Sequence, residues 1–372
     1  MRIAMIGHKR YDSREGGVEV VVTELARRMA ALGHEVTCYD RSGKDVMTGE
    51  GTQGERVVDG VRVVPVRTVD AKGLAALSSS FFATLAAIKD RPDVVHYHAE
   101  GPCVPLPLAR RAGIRTVATI HGLDWQRAKW GKLASTYIKM GERNAARRAD
   151  EVIVLSRSAQ SYFREAYGRE TRLVPNGIEP KEPRSAHVIS ERWGLSRGSY
   201  VLFLGRIVPE KRPELLIKAF RGLDTDKRLV IAGGSSDTSE YLDEIKRLAA
   251  DDPRVVLTGF VQGEALEELY SNALCYVLPS DVEGMPMSLL EAMAYGRCCI
   301  TSDIPECADV TERTGLTFPR GDAEELQRVL ASLLANPGET KAKGDSARVR
   351  ATESFGWDSV VRRTLELYGG DQ

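Results

Sequence analysis

Short apolar runs alternate with amphipathic stretches along the first half of the chain. Arg2–Ile6 reads as a strand. Val18, Val21, Val22, Leu25, Met29 and Leu32 then recur at helical spacing, and Gly33 stands where a helix ends. Further strands are predicted at Glu35–Tyr39, Val61–Val66, Asp93–Tyr97, Arg115–Ile120, Glu151–Leu155 and Arg172–Val174. Helical patterns such as Leu74–Ile88 and Leu133–Arg148 fill the gaps. Strands this apolar, separated by helices, imply a parallel sheet covered on both faces. After Pro175-Asn176-Gly177 the pattern restarts. Strands Tyr200–Leu204, Arg228–Ala232, Val255–Thr258, Leu274–Leu278 and Cys298–Thr301 alternate with helices Glu214–Arg221, Glu240–Ala250, Glu264–Ser271 and Met287–Tyr295. Three helices follow, at about Asp322–Asn336, Thr340–Ser354 and Trp357–Tyr368. The chain therefore reads as two α/β domains, 1–180 and 195–355, joined by a linker near 176–195. Open parallel sheets bind ligands outside the carboxyl ends of their strands. Two such domains facing each other would form a cleft, and function is expected in the loops that follow strands.

The 372 residues fit two domains at roughly 100–200 residues each. A composition of 42% hydrophobic and 28% charged residues excludes a disordered chain or a collagen. No run approaches the roughly 18 apolar residues of a spanning helix, and the amino terminus lacks a signal peptide's apolar region. A cytoplasmic protein is expected. Six scattered cysteines form no Cys-x-x-Cys and no zinc spacing, so buried reduced thiols are expected. Net charge is zero, yet residues 1–180 carry 28 Lys and Arg against 21 Asp and Glu. One half thus suits an anionic partner, or simply bears a solvated basic surface.

Four segments carry candidate chemistry. In Glu283-Gly284-Met285-Pro286-Met287-Ser288-Leu289-Leu290-Glu291, Pro286 suits the first helical position. Met287, Leu290 and Met293 or Ala294 form a stripe facing the sheet, and Gly296 can end the helix. Glu283 and the Gly284–Met285 peptides then lie at a helix N-terminus, which favours anions. Glu291 lies up to about 12 Å further along, roughly the reach of a nucleotide-sugar, and carboxylates accept paired hydroxyls. The other reading is one glutamate in the first turn and one solvated. In Gly205-Arg206-Ile207-Val208-Pro209-Glu210-Lys211, Arg206 and Lys211 stand at a strand–loop–helix junction, where they neutralise a diphosphate or merely decorate a loop. Glu15-Gly16-Gly17-Val18 lets backbone N–H groups approach a phosphate, or forms a turn; it is not the dinucleotide fingerprint. In Ile120-His121-Gly122-Leu123-Asp124 the histidine follows a strand and is either structural or enters the cleft. His96-Tyr97-His98-Ala99-Glu100 ends the preceding strand. The His-x-His pair is read as pointing to opposite faces, which argues against a metal. His96, His98 and Glu100 instead contact an acceptor or buttress His121, and Asp124 is placed on the acceptor side with His98 and Glu100. The four segments lie on both predicted domains, and each follows a strand.

Glu283–Glu291 resembles the Glu-x7-Glu motif of the retaining glycosyltransferases of family four, the glycogen-synthase-like group with the GT-B fold. Gly205-Arg206…Glu210-Lys211, Asn176-Gly177-Ile178 and His121-Gly122 fall in that family's order. Glu15-Gly16-Gly17-Val18-Glu19 and His98-Ala99-Glu100-Gly101-Pro102 resemble a bacterial subgroup of capsule rhamnosyltransferases and other polysaccharide-building enzymes. The resemblance implies two Rossmann-like domains across a cleft, with a last helix over 356–372 packing back on the first. It implies that Arg206 and Lys211, beside Gly205, hold a diphosphate, that Glu291 binds ribose, and that Glu283 with Gly284, Met285, Pro286 and Met287 grips the donor sugar. His121 is expected near the anomeric centre, with Gly16 and Gly17 over the diphosphate. Met285 replaces the family's usual aromatic.

The expected activity is retaining transfer of a hexosyl group from a nucleoside-diphosphate sugar, UDP favoured, to a carbohydrate, lipid-linked or small-molecule hydroxyl acceptor in cell-surface polysaccharide or glycoconjugate synthesis. No cofactor and no metal are expected; Asp224-Thr225-Asp226 reads as a turn. A nucleotide-sugar epimerase and a non-catalytic nucleotide-sugar-binding subunit are the alternatives, and nucleic acid is excluded as a partner by zero net charge and the lack of a module. The segment Trp125–Asp150 interleaves Arg127, Lys129, Lys132, Lys139, Arg143, Arg147 and Arg148 with Trp125, Trp130, Tyr137 and Ile138. It reads as a solvated helix face with a core stripe, or as a peripheral contact with an anionic membrane.

Overall fold

A strand buried on both faces needs no polar alternation, and β1 (Arg2–Ile6) shows this, with four of its five residues buried. A computed structural model describes residues 1–14, 16–43, 54–69, 74–126, 131–234 and 239–369. The chain divides into unit 1, residues 1–177 and 357–372, and unit 2, residues 178–356.

In unit 1, β1 is followed by α1 (Gly17–Ala31), β2 (Glu35–Arg41), β3 (Arg56–Val58), β4 (Val61–Val66), α2 (Ala75–Asp90) and β5 (Val94–His98). Then come α3 (Leu106–Arg111), β6 (Arg115–Ile120), α4 (Lys132–Arg148), β7 (Glu151–Val154), α5 (Arg157–Tyr167) and β8 (Arg172–Leu173). The described strands form one sheet in the order β3-β4-β2-β1-β5-β6-β7-β8. Each pairing is parallel except that of β3, which is antiparallel to β4. The sequence reading omits β3. It is three residues at the sheet edge, exposed Val57 between two half-buried neighbours, joined to β4 by Asp59-Gly60 with both residues at positive φ. Asp-Gly is a strong hairpin signal, and it was there to be read. The β2 strand also runs two residues beyond its predicted end and carries Asp40 with it.

Unit 2 begins with α6 (Val188–Trp193), β9 (Tyr200–Leu204), α7 (Pro213–Arg221), β10 (Arg228–Ala232), α8 (Ser239–Ala250), β11 (Val255–Gly259) and α9 (Gly263–Asn272). It continues through β12 (Cys275–Leu278), α10 (Met287–Ala294), β13 (Cys298–Ser302), α11 (Pro305–Thr311), β14 (Leu316–Phe318), α12 (Ala323–Ala335) and α13 (Pro337–Ser354). Its strands pair in parallel in the order β11-β10-β9-β12-β13-β14. The expected linker over 176–195 is corrected here: it contains α6. Buried Glu268 of α9 accepts the N–H groups of His187 and Ile189 at the amino end of this short helix, and Ile189 is wholly buried. A tertiary cap of this kind supplies what a six-residue helix lacks alone.

The chain returns to unit 1 in α14 (Trp357–Gly369). Trp357 packs against Gly177, where a Cβ would lie 2.2 Å from the indole. Tyr368 reaches His96, and Arg115 donates to the Leu367 carbonyl. All six cysteines are buried and unpaired. Among the described residues no helix is long and apolar enough to cross a membrane.

Candidate active site

In unit 2 the candidate residues lie on the loops after β9 and β12. Lys211 closes a short 3-10 turn, Pro209–Lys211, and its stem crosses Gly205, where a Cβ would come within 3.1 Å of the lysine Cδ. Its Nζ donates to Glu283 Oε1 at 2.6 Å, and the Ser280 hydroxyl donates to the same oxygen at 2.7 Å. Ser302, at the end of β13, donates to the Ser280 carbonyl at 2.5 Å. The lysine and glutamate side chains are only 12% and 10% exposed. A pair so desolvated holds only when further hydrogen bonds complete it, and Ser280 supplies one. Arg206 stands half-buried in the same loop. Arg212, which the sequence reading passed over, pairs with Glu214 and with Asp281. Neighbouring Glu210 is buried, and both its carboxylate oxygens lack a hydrogen-bond partner among the described residues.

The helix carrying Glu291 starts at Met287, as its predicted range has it. Pro286 has ψ 117° and is the cap, not the first helical residue; its carbonyl accepts the N–H groups of Leu289 and Leu290. The stripe is corrected too. Leu289, Leu290, Met293 and Ala294 are buried, while Met287 is half-exposed. Gly296 at φ +70° lets the Arg297 N–H return to the Ala292 carbonyl and end the helix. Gly284, Met285 and Pro286 are buried beside Glu283. Glu291 is 9% exposed and is oriented by the Tyr270 hydroxyl, which donates to Oε2 at 3.0 Å. Tyr270 in turn stacks on Tyr295 at 5.5 Å and 9°. Nothing in the sequence pattern singles out Tyr270. The Asp224-Thr225-Asp226 segment precedes β10, at the amino end of that strand, opposite the edge that carries Arg206 and Glu283.

In unit 1 the carboxyl edge is an array of histidines. His98 Nδ1 lies 3.0 Å from His121 Nε2. The His96 ring packs against His98, tilted by 34°, with ring centroids 4.1 Å apart. The expectation of opposite faces was therefore wrong: residues two apart on a strand share a face. The rings do not converge on a common point, since the two His96 nitrogens bond the Tyr368 and Thr119 hydroxyls at 2.6 and 2.7 Å. Among the described residues no three His, Cys, Asp or Glu are set to hold a metal ion. Burial lowers His96 to about 3 and holds His98 well below the usual histidine range, so both rings are neutral. Glu100 is fully buried and accepts the Asp124 N–H at 3.1 Å, tying down the loop that begins at His121. Burial, with Asp124 and Glu142 nearby, pushes its carboxyl well above the ordinary range.

His8 was missed, although it follows β1 as His121 follows β6. Its Nε2 meets Asp40 Oδ1 at 3.1 Å, and both groups are buried. Burial alone would raise Asp40, but bonds from His8 and the Tyr11 N–H hold it below the usual carboxylate range. Gly16 caps α1 in extended conformation, and Gly17 opens the helix. Buried Glu19 folds back to accept the Lys9 N–H, so a carboxylate stands beside the loop expected to approach a phosphate. Glu15 lies outside the described residues, as do Arg127, Lys129 and Trp130. In the rest of the basic segment, Ile138 is buried, and Trp125 donates to buried Glu142, which also takes the Tyr162 hydroxyl at 2.8 Å. Lys139 sits 4.0 Å over the Trp125 ring.

Two parallel α/β units with their chemistry on the carboxyl edges are matched by two family models. Residues 15–182 match Glycosyltransferase Family 4, and residues 189–350 match Glycosyl transferases group 1. The protein is a glycosyltransferase of the GT-B type. A GDP-mannose-dependent alpha-(1-6)-phosphatidylinositol monomannoside mannosyltransferase of Mycolicibacterium smegmatis is 28% identical, over 97% of this chain and 96% of its own. Among solved structures, sucrose-phosphate synthase from Thermosynechococcus elongatus superposes with a TM-score of 0.83 at 23% identity, covering 99% of this chain and 98% of its own. Anabaena HepE, in complex with UDP and glucose, gives 0.81 at 16% identity with both chains covered in full. The chain belongs to glycosyltransferase family four.

Proposed function

We propose that this glycosyltransferase takes its sugar from a nucleoside-diphosphate donor and transfers it with retention of anomeric configuration, without a metal ion. The observation that carries this reading is the Lys211–Glu283–Ser280 cluster with Arg206 in the same loop. Breaking a glycosyl–phosphate bond leaves positive character on the sugar and negative charge on the departing diphosphate. Arg206 and Lys211 supply fixed cations for that diphosphate, the role a divalent ion plays elsewhere. Glu283, with the Gly284–Met287 backbone, takes donor-sugar hydroxyls. When Lys211 turns to phosphate, Glu283 keeps its bond from Ser280. Glu291, held by Tyr270, accepts the ribose hydroxyls. In unit 1, His121 contacts the donor sugar, the Gly16 and Gly17 backbone approaches the diphosphate, and His98, Glu100 and Asp124 shape the acceptor side. The acceptor hydroxyl attacks on the face the leaving group departs from, and a diphosphate oxygen takes its proton.

UDP is favoured as the nucleotide; GDP, printed in the name of the mycobacterial relative, is the competing one. Membership of the polysaccharide and glycoconjugate pathways at the cytoplasmic membrane face is proposed with it. Exposed Lys132, Lys139, Arg143, Arg147 and Arg148 on α4, with Leu133 90% exposed, support peripheral contact with anionic lipid. Co-sedimentation with anionic vesicles that does not weaken with salt, or does not occur, refutes that contact.

The test of the whole reading is a thermal-shift screen against UDP-, GDP-, ADP- and dTDP-sugars, where a ligand at 100 times its Kd stabilises by about 2.7 kcal/mol. The stabilising donor is then turned over with candidate acceptors in EDTA. Release of nucleoside diphosphate only with acceptor, and a product of unchanged anomeric configuration by NMR, is expected. Nucleotide-linked product without acceptor would indicate an epimerase, and binding without turnover a non-catalytic subunit.

A further inference from the structure

His98 is the last residue of β5 and is wholly buried. Its Nδ1 meets His121 Nε2, and its other ring nitrogen, Nε2, is buried with no hydrogen-bond partner among the described residues. The backbone is arranged for this contact. Ala99 stands at φ +73°, a left-handed conformation that alanine adopts only under constraint. It separates His98, which bonds the His121 ring, from Glu100, which bonds the loop after it. The titratable groups facing His98 are His96, His121 and His8.

One proton lies between His98 Nδ1 and His121 Nε2. If His121 donated it, neutral His98 would carry its own proton on Nε2, a buried N–H without an acceptor. If His98 donates it, Nε2 is a bare lone pair. A buried orphan donor is the rarer of the two. We propose that His98 is a positioning residue that sets the tautomer of His121: it donates from Nδ1, so that His121 carries its proton on Nδ1 and acts as a hydrogen-bond donor from that atom. The kinetic consequence rests on the assignment of His121 to the donor sugar; the tautomer itself does not. In that tautomer Nδ1 carries a proton to donate and cannot serve as a base.

Nitrogen-15 NMR of histidine-labelled, ligand-free protein tests this, with His121 assigned by the loss of its signals in His121→Gln. His121 is expected protonated at Nδ1 and bare at Nε2. A His121 protonated at Nε2 overturns the proposal without any variant of His98. His98→Asn places an amide donor where Nδ1 stood and should keep the His121 tautomer. His98→Phe removes the donor; His121 should become a mixture of tautomers, and kcat should fall at least tenfold with little change in donor KM. An unaltered His121 spectrum in His98→Phe also overturns the proposal. A tautomer that shifts while kcat holds leaves His98 in its positioning role and counts instead against His121 as a donor-sugar contact.

Discussion

The two units solve the same topological problem with opposite electrostatics. Both carry their candidate residues at the carboxyl edge of a parallel sheet, as such sheets favour. Unit 2 gathers charge there: Lys211 with Glu283, Arg212 with Asp281 and Glu214, and Arg206 in the same loop. Unit 1 gathers neutral rings. His96 and His98 are kept uncharged by burial, and Glu100 is driven toward its protonated form by the same cause. A polar group aimed by neighbours but carrying no net charge can donate or accept hydrogen bonds without holding a counter-ion. Under the proposed roles the difference divides the labour of glycosyl transfer: unit 2 is suited to a dianionic leaving group, and unit 1 to a sugar that becomes positive. A cationic His98 would oppose that positive charge, so burial of the array is part of its suitability.

The sharpest break in this comparison comes from unit 2. Arg206→Ala and Lys211→Ala should each lower kcat by roughly 10²–10³, the scale for losing one charge-stabilising donor; melting temperature should hold in Arg206→Ala but fall in Lys211→Ala, which leaves the desolvated Glu283 without its cation. Initial rates at saturating donor check this. If the loss fell on donor KM alone, the cations would be binding ground and transition state equally. The next effect is on stability and belongs to unit 1. Gly177→Ala drives a Cβ into the Trp357 ring. Overpacking of this kind costs about 1–3 kcal/mol, which denaturant unfolding followed by tryptophan fluorescence will register.

A third prediction uses pH to separate the units. His96 has a folded value near 3 against 6.5 for the free ring. The unfolded chain binds that proton first, so stability falls as pH drops from about 6.5 toward 3. Glu100 has the opposite sign. Its folded value is raised, so its contribution is fully present below the ordinary glutamate pKa and is lost as pH rises through the higher folded value. Urea midpoints across pH should therefore fall on both sides for unit 1. Glu100→Gln should flatten only the alkaline side; a variant that leaves the alkaline limb unaltered would show that Glu100 is not its source.

What was legible in the sequence, and what was not, follows the same physics. Strands β1, β5, β6, β9, β10 and β12 are near-continuous apolar runs because both faces are covered, and they were read almost to the residue. The helix after β12 was legible from its apolar spacing, and Pro286, expected at the first helical position, is its cap. Short elements were not legible. Strand β3 has three residues and α6 has six, and each depends on a partner, β4 in one case and Glu268 in the other. The candidate residues near motifs were found, but their supporting partners were not. Asp40 lies 32 residues from His8 and Tyr270 lies 21 from Glu291, distances at which no periodicity links them. His8 was different. Like His121, it stands just past a buried strand, so its position alone marks it in the sequence.

The smallest predicted effect probes one of those unseen partners. Tyr270→Phe removes one hydroxyl from Glu291 and keeps the ring stacked on Tyr295. A hydrogen bond to a charged group contributes about 1.5–3 kcal/mol, a neutral one nearer 1. Glu291 is 9% exposed and can recover part of that loss from water. About 1 kcal/mol, some fivefold in donor affinity, is the expected cost. It should appear in the Kd of the nucleotide alone as strongly as in that of the full nucleotide-sugar, because Glu291 is assigned to ribose. It should leave kcat unaltered, because ribose is equally bound before and during bond breaking. Isothermal titration with the nucleoside diphosphate, set beside rates at saturating donor, separates the two quantities. A drop in kcat with unchanged nucleotide affinity would move Glu291 from the ribose end of the donor to the reacting end, and with it the division of labour drawn between the charged and the neutral unit.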